Sequence, residues 1–202
     1  MKRLNVYVDG FNLYFGMVDA GYLNCKWLDI HLLAENIKGS SHTLTEVKYF
    51  TSRISNNPDK QKRQNTYLDA LGTTPVSIAY GQFRNQSMQC SQCAHYWYEA
   101  KEKMTDVNIA TSLMVDAFTD KFDVAFLITG DSDLVPPIKA IRDLFPQKEI
   151  WVVLPPSRDS NALKKVASNS FALGRKKIEN SQLPETIVDK YGFVLSRPLG
   201  WK

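Results

Sequence analysis

A chain of 202 residues with 44% hydrophobic composition is long enough to bury a real core, and nothing in its length demands more than one medium-sized domain. Lys and Arg outnumber Asp and Glu by 25 to 21 and the isoelectric point is near 8.9, a balance that permits a polyanionic partner without requiring one. The apolar run after Met1-Lys2-Arg3 meets Asp9 too soon for a signal-peptide core or a membrane span, and three cysteines argue against a disulfide framework. The expectation is therefore a cytoplasmic protein without a membrane segment.

Strand-like segments alternate with helical ones. Leu4–Val8 opens the chain as a strand, and Glu46–Ser52 is the second. Asn57 and Pro58 then supply an N-cap and a first helical residue for a helix that runs to Gly72. Pro75–Gly81 is the third strand. Residues 82–103, "QFRNQSMQCSQCAHYWYEAKEK", are polar and interrupt the alternation, which marks an insertion. Thr105 opens a helix in which Val107, Ala110, Leu113, Met114, Ala117 and Phe118 recur on one face. Val124–Thr129 and Ile150–Leu154 complete the strands. With Leu4–Val8 they are nearly continuous apolar runs, as strands covered on both faces are. This order predicts an α/β sandwich with a mostly parallel sheet over residues 1–180, followed by an irregular strap at 181–202.

In such a sheet the binding crevice lies outside the carboxyl ends of the strands. Asp9 directly follows the first strand, Asp131 and Asp133 follow "AFLIT", and Asp106 begins the long helix. Carboxylates gathered there repel one another unless a cation sits among them, and hard oxygen ligands suit Mg²⁺ or Mn²⁺. Each acid also has a plain reading. Asp9-Gly10 is an ordinary turn pair, Asp133 or Ser132 a helix cap, Asp106 a favourable charge at a helix N-terminus, and Asn12 a brace for the first turn of its helix.

Three motifs in order, "VYVDGFNLYFG" (6–16), "EKMTDVNIATSLMVDAF" (102–118) and "FLITGDSDLVPPIKAIR" (126–142), resemble the NYN domain. This is a branch of the PIN-like ribonuclease superfamily, and the likeness is strongest to its LabA-like (DUF88) group. The resemblance runs from the first strand to about Ser168. It implies a three-layer α/β/α fold, PIN-like and Rossmann-like, around a metal-dependent nuclease centre. By motif, Asp9, Asp106, Asp131 and Asp133 are the implied acidic set, with Asn12 as a supporting polar residue.

In that reading Asp9, Asp106 and Asp131 are the leading Mg²⁺ or Mn²⁺ ligands, with Asp133 a ligand or a base beside them. Asn12 orients metal-bound water or the scissile phosphate. Ser132 lies between two acids but has no His beside it, which disfavours a covalent serine mechanism. Lys103, Lys60, Lys62 and Arg63 are candidates for contact with a nucleic-acid backbone, and Lys164, Lys165, Arg175, Lys176 and Lys177 form a further basic stretch. Tyr96, Trp97 and Tyr98 are candidates for stacking on unpaired bases. For each of these a solvated or structural role is the competing reading.

Cys90 and Cys93 have the spacing of half a zinc knuckle, with His95 close behind. A tetrahedral site needs four ligands, so Cys25, His31, His42 or a second chain would have to complete it. Structural Zn²⁺ is compatible with this pair but not favoured by it. The leading expectation is a Mg²⁺- or Mn²⁺-dependent ribonuclease hydrolysing single-stranded RNA, with a homodimer allowed. The rivals are a non-catalytic RNA- or protein-binding module of the same fold and a small-molecule phosphohydrolase or TOPRIM-like centre on Asp131 and Asp133.

Overall fold

The structure is a computed structural model that describes residues 1–54 and 57–201, with the backbone alone at 84, 85 and 99–102. In chain order its elements are β1 (Lys2–Asp9), α1 (Gly10–Asp19), α2 (Ile30–Ile37), β2 (His42–Thr51), α3 (Pro58–Leu71), β3 (Val76–Tyr80), β4 (Gln82–Gln89), β5 (Tyr96–Lys103), α4 (Thr105–Phe118), β6 (Val124–Ile128), α5 (Val135–Leu144), β7 (Glu149–Leu154), α6 (Asn161–Val166), β8 (Asn169–Ala172), α7 (Arg175–Glu179), β9 (Thr186–Val188) and β10 (Val194–Ser196).

Six strands form one sheet in the order β3-β2-β1-β6-β7-β8, and every neighbouring pair is parallel. The chain leaves β1 towards one edge through β2 and β3, then returns to pair β6 on the other side of β1 and proceeds outward through β7 and β8. The direction of winding therefore reverses between β1 and β6. That reversal opens a crevice at their carboxyl ends, because the connections leave on opposite faces.

Alternate residues of the central strands feed two cores. Val6 and Val8 face one layer with Leu13 of α1, Leu33 of α2, Leu68 of α3 and Ile178 of α7. Tyr7 faces the other with Leu113 of α4, Ile138 of α5 and Leu163 of α6. Helices cover both faces, so the architecture is the three-layer α/β/α sandwich expected.

The five expected strands are all present. Asn57 caps α3 as read, its side chain accepting the Lys60 amide at 3.0 Å, and Gly72 follows the last turn. The face of α4 differs from its apolar pattern. Val107 and Phe118 are 63% and 59% exposed, while Thr105 and Asp116 are buried. The reason is polar pairing in the core. Asp116 accepts the Tyr7 hydroxyl at 2.6 Å and the Lys48 ammonium, and Thr105 meets the Ser52 hydroxyl at 3.3 Å, so the helix turns these residues inward.

The insertion at 82–103 is an antiparallel hairpin of β4 and β5 that starts directly after β3. Met104, in the left-handed region at φ 78°, redirects the chain from the hairpin into α4. The tail is more ordered than an irregular strap, with a β9–β10 hairpin and a terminal 3₁₀ turn at Leu199–Trp201. The Trp201 ring packs against Trp27 and Tyr67, at centroid separations of 6.4 and 5.6 Å. The Arg197 guanidinium donates to the Trp201 carbonyl at 2.7 Å and holds the turn down.

Candidate functional site

The acid that ends β1 is held by its own helix and by the neighbouring strand. One Asp9 carboxylate oxygen accepts the Asn12 amide at 3.0 Å, capping α1, and the other accepts the Thr129 hydroxyl at 3.1 Å. Thr129 lies directly after β6 and is fully buried, and its hydroxyl oxygen also accepts the Asp131 amide at 3.1 Å. A single hydroxyl thus links the Asp9 carboxylate to the backbone that carries Asp131. Asn12 closes a second link, its side-chain carbonyl accepting the Gly130 amide at 2.9 Å. Asn12 therefore braces two strand ends and is more than a support for its own helix.

Asp131, and not Ser132 or Asp133, is the capping residue after β6. Its carboxylate accepts the Asp133 amide at 2.9 Å and starts the 3₁₀ turn Ser132–Leu134 that leads into α5. The prolines at 136 and 137 are tolerated in the first turn of α5, where amides lack intrahelical partners. Asp106 is exposed in the first turn of α4.

Asp9, Asn12, Asp106 and Asp131 all line one cavity of about 880 Å³, within the usual size range of ligand sites. Lys60, Arg63 and Gln64 of α3 contribute to the same lining, as do Phe11 and Phe15 of α1, Phe83 of β4, and Trp201. Asp133 is exposed and is not part of the lining, and neither are Lys103 and Lys62. Tyr96 and Trp97, 65% and 43% exposed on β5, also lie outside it. Lys164 pairs with Asp159, Arg175 with Glu179 at 2.7 Å, and Lys177 donates to the Asn36 carbonyl, so these three cations are engaged within the fold.

The donor set suits a hard divalent cation. Asp9, Asp106 and Asp131 present carboxylate oxygens to one cavity, and Mg²⁺ is commonly held by one or two carboxylates with water and substrate phosphate filling the rest. Among the described residues no three His, Cys, Asp or Glu side chains already converge as a ligand group. Asp9, Asp106 and Asp131 thus share the cavity without forming a ready-made ligand group.

Cys90 and Cys93 sit at the turn of the β4–β5 hairpin, where Cys90 donates its amide to the His95 carbonyl at 2.9 Å. Backbone amides of Cys93 and Gln92 lower the Cys90 thiol from its ordinary range. Cys25 is buried in the main core, and its thiol is pushed up by that burial. His42 is buried at the amino end of β2, edge-on to Phe126 and Trp151, whereas the hairpin leaves from the carboxyl end of the neighbouring, parallel β3. Neither residue is placed to complete a metal site with the pair.

A family model described as the NYN domain matches residues 3–174, which is most of the chain. The chain belongs to the NYN-domain family. Its fold is accordingly a PIN-like nuclease fold, in a family whose members are generally nucleases that use a divalent metal. A crystal structure of a protein of unknown function from Vibrio parahaemolyticus superposes with a TM-score of 0.56 at 20% identity, covering 90% of this chain and 96% of that one. That likeness supports the fold. The NYN chain is also 26% identical to the 6-hydroxy-3-succinoylpyridine 3-monooxygenase of Pseudomonas putida, over 77% of this chain and 60% of that protein. It thus spans less than two thirds of the length of this relative. Among the described residues no helix is long and apolar enough to cross a membrane.

The sequence reading missed Thr129, Phe11, Phe15, Phe83 and Trp201. Phe11 and Phe15 were visible as an i, i+4 pair within "DGFNLYFG", beside the first acid. Phe83 and Trp201 carried no local signal, since only the return of the hairpin and of the tail brings them to the cavity.

Proposed function

We propose that this protein is a Mg²⁺- or Mn²⁺-dependent nuclease that hydrolyses single-stranded RNA. The observation that carries the reading is one cavity, at the carboxyl ends of β1 and β6, lined together by Asp9, Asp106, Asp131, Lys60 and Arg63. Asp9, Asp106 and Asp131 would hold the cation. When bound, a divalent cation supplies a more acidic water and neutralises charge on the phosphoryl group in the transition state.

The chain's own residues do the rest. The Thr129 hydroxyl and the Asn12 amide fix the Asp9 carboxylate, so its orientation costs no ordering during reaction. Asn12 holds the Gly130 amide and keeps the Asp131 loop against α1. Lys60 and Arg63 draw the phosphate backbone towards the acids, offsetting their repulsion for a polyanion. Asp133, exposed and outside the cavity lining, is left out of the ligand set in this reading.

The phenylalanine lining of the cavity also favours a second reading, a site for a small aromatic molecule. The Pseudomonas putida relative is named for oxygenation of a pyridine, and such a reaction would need O₂ and an electron donor. End-labelled single-stranded RNA incubated with Mg²⁺ or Mn²⁺ separates the two. Metal-dependent cleavage by the wild type, lost with EDTA and in Asp131→Asn, is the expected result. A folded protein that cleaves no RNA or DNA overturns the nuclease reading and leaves the small-molecule or binding-module roles.

A further inference from the structure

Three phenylalanines form part of the cavity that holds the acids. Phe11 and Phe15 stand one turn apart on α1, with ring centroids 6.0 Å apart and planes inclined by 21°. Phe83, from the β4–β5 hairpin, meets Phe11 edge-on at 6.0 Å and 81°. Phe15 remains 49% exposed although Tyr14 packs against its ring at 5.3 Å. An aromatic ring left half open in this cavity gains from a flat apolar partner. At 6.0 Å Phe11 and Phe15 are already in contact with each other, so a planar ligand would stack on an outer face and not between them.

Lys60 and Arg63 provide the complementary chemistry. They lie three residues apart on α3, share a face of the helix and line the same cavity. A cationic rail beside an aromatic platform is how proteins hold unpaired nucleic acid, with phosphates on the rail and a base on the ring. A base inside a duplex has both faces covered by its neighbours and cannot reach such a platform.

We infer that Phe11, Phe15 and Phe83 form a base-stacking subsite for one unpaired nucleotide next to the scissile phosphate, and that this subsite makes the protein selective for single strands. The inference rests on the nuclease reading of the same cavity. It assigns the hairpin a role in substrate selection through Phe83, while Tyr96 and Trp97 stay outside the site.

The test is equilibrium binding in EDTA, so that no strand is cut. The probes are a fluorescein-labelled ten-nucleotide RNA, the same strand annealed to its complement, and a set of the strand carrying one abasic residue at each position. The single strand is expected to bind about ten-fold or more tightly than the duplex, and one abasic position to weaken binding by about ten-fold. Phe15→Ala and Phe83→Ala should each erase that abasic penalty, whereas Lys60→Ala should weaken single strand and duplex alike. Phe15 is half exposed, and circular dichroism of its variant verifies folding. Equal affinity for strand and duplex, or Phe variants that keep the full abasic penalty, overturns the subsite while metal-dependent cleavage still upholds the nuclease reading. No binding to any of these RNAs, together with no cleavage, overturns both.

Discussion

The Asn12 side-chain carbonyl accepts the Gly130 amide at 2.9 Å, tying the first turn of α1 to the loop that follows β6. Replacing Asn12 by Ala leaves that amide without its partner and frees the Asp131 loop. Cleavage should fall by about 10- to 100-fold, a range typical of lost positioning. Stability should drop by only about 1 kcal/mol, as for one lost hydrogen bond. Single-turnover kinetics set beside urea denaturation checks this; a variant equally active would mean that the brace has no part in catalysis.

Thr129→Val keeps the shape of the side chain and removes the hydroxyl that joins Asp9 to the Asp131 amide. Asp9 is buried and the Asp131 amide partly so, and the cost should be about 1–3 kcal/mol. The concentration of Mg²⁺ needed for half-maximal cleavage should rise, because the Asp9 carboxylate is no longer fixed. A metal titration of activity for both proteins reads this directly.

Gly10 begins α1 where the helix crosses β2. A Cβ at this position would come within 2.5 Å of the Tyr49 ring and 2.7 Å of the Phe50 carbonyl oxygen. The backbone carbonyl cannot rotate away as a side chain would. Gly10→Ala should therefore destabilise by about 1–3 kcal/mol, as overpacking does, and lower the melting temperature by several degrees, which differential scanning calorimetry would show. An unchanged melting temperature would mean that α1 shifts freely, contrary to its role in holding Asp9.

Arg3 binds Asp123 through side chain and backbone, with the guanidinium at 2.7 Å, and joins the start of β1 to the entry of β6. Hydrogen bonds from Arg3 hold the Asp123 carboxyl down at about 2. This lies below the unfolded value of about 3.9. Its stabilisation is therefore complete above pH 4 and is lost as the pH falls through about 2. Both side chains are partly exposed, so solvent screening keeps the contribution small. The melting temperatures of wild type and Asp123→Asn should differ at pH 6 and draw together as the pH falls through about 2; a difference unchanged between pH 6 and pH 2 would assign it to packing.

The central strands were legible because burial on both faces removes polar residues from them, so that the acid ending each run stands out. Asp9 and Asp131 stood out this way, and the switch of winding between β1 and β6 explains why both line one cavity. The edge strand β8 was not legible: "NSFA" is four residues long, and its mix of polar and apolar residues gives no clear period. The buried face of α4 was read in part: Leu113 and Ala117 are in the core with Ala110 and Met114 packed against it, but Asp116 and Thr105 also enter it, with hydrogen-bond partners drawn from β1, β2 and the segment after β2. Composition cannot show that pairing. Half of this aromatic set was hidden for a similar reason: Phe11 and Phe15 stand together beside Asp9 in the sequence, but Phe83 and Trp201 come from the hairpin and the tail and join them only in three dimensions.

The pairing of β1 with β6 also bears on how the molecule folds. Asp9 and Thr129 are 120 residues apart in the chain, so their contact closes a very long loop. Contacts of this range form slowly, after local helices and neighbouring strands have already gained structure. A chain that has assembled β1, β2 and β3 alone holds Asp9 but neither Thr129 nor Asp131 against it. During refolding, recovery of the site should lag behind recovery of helical signal, and its appearance marks the step at which the two halves of the sheet join.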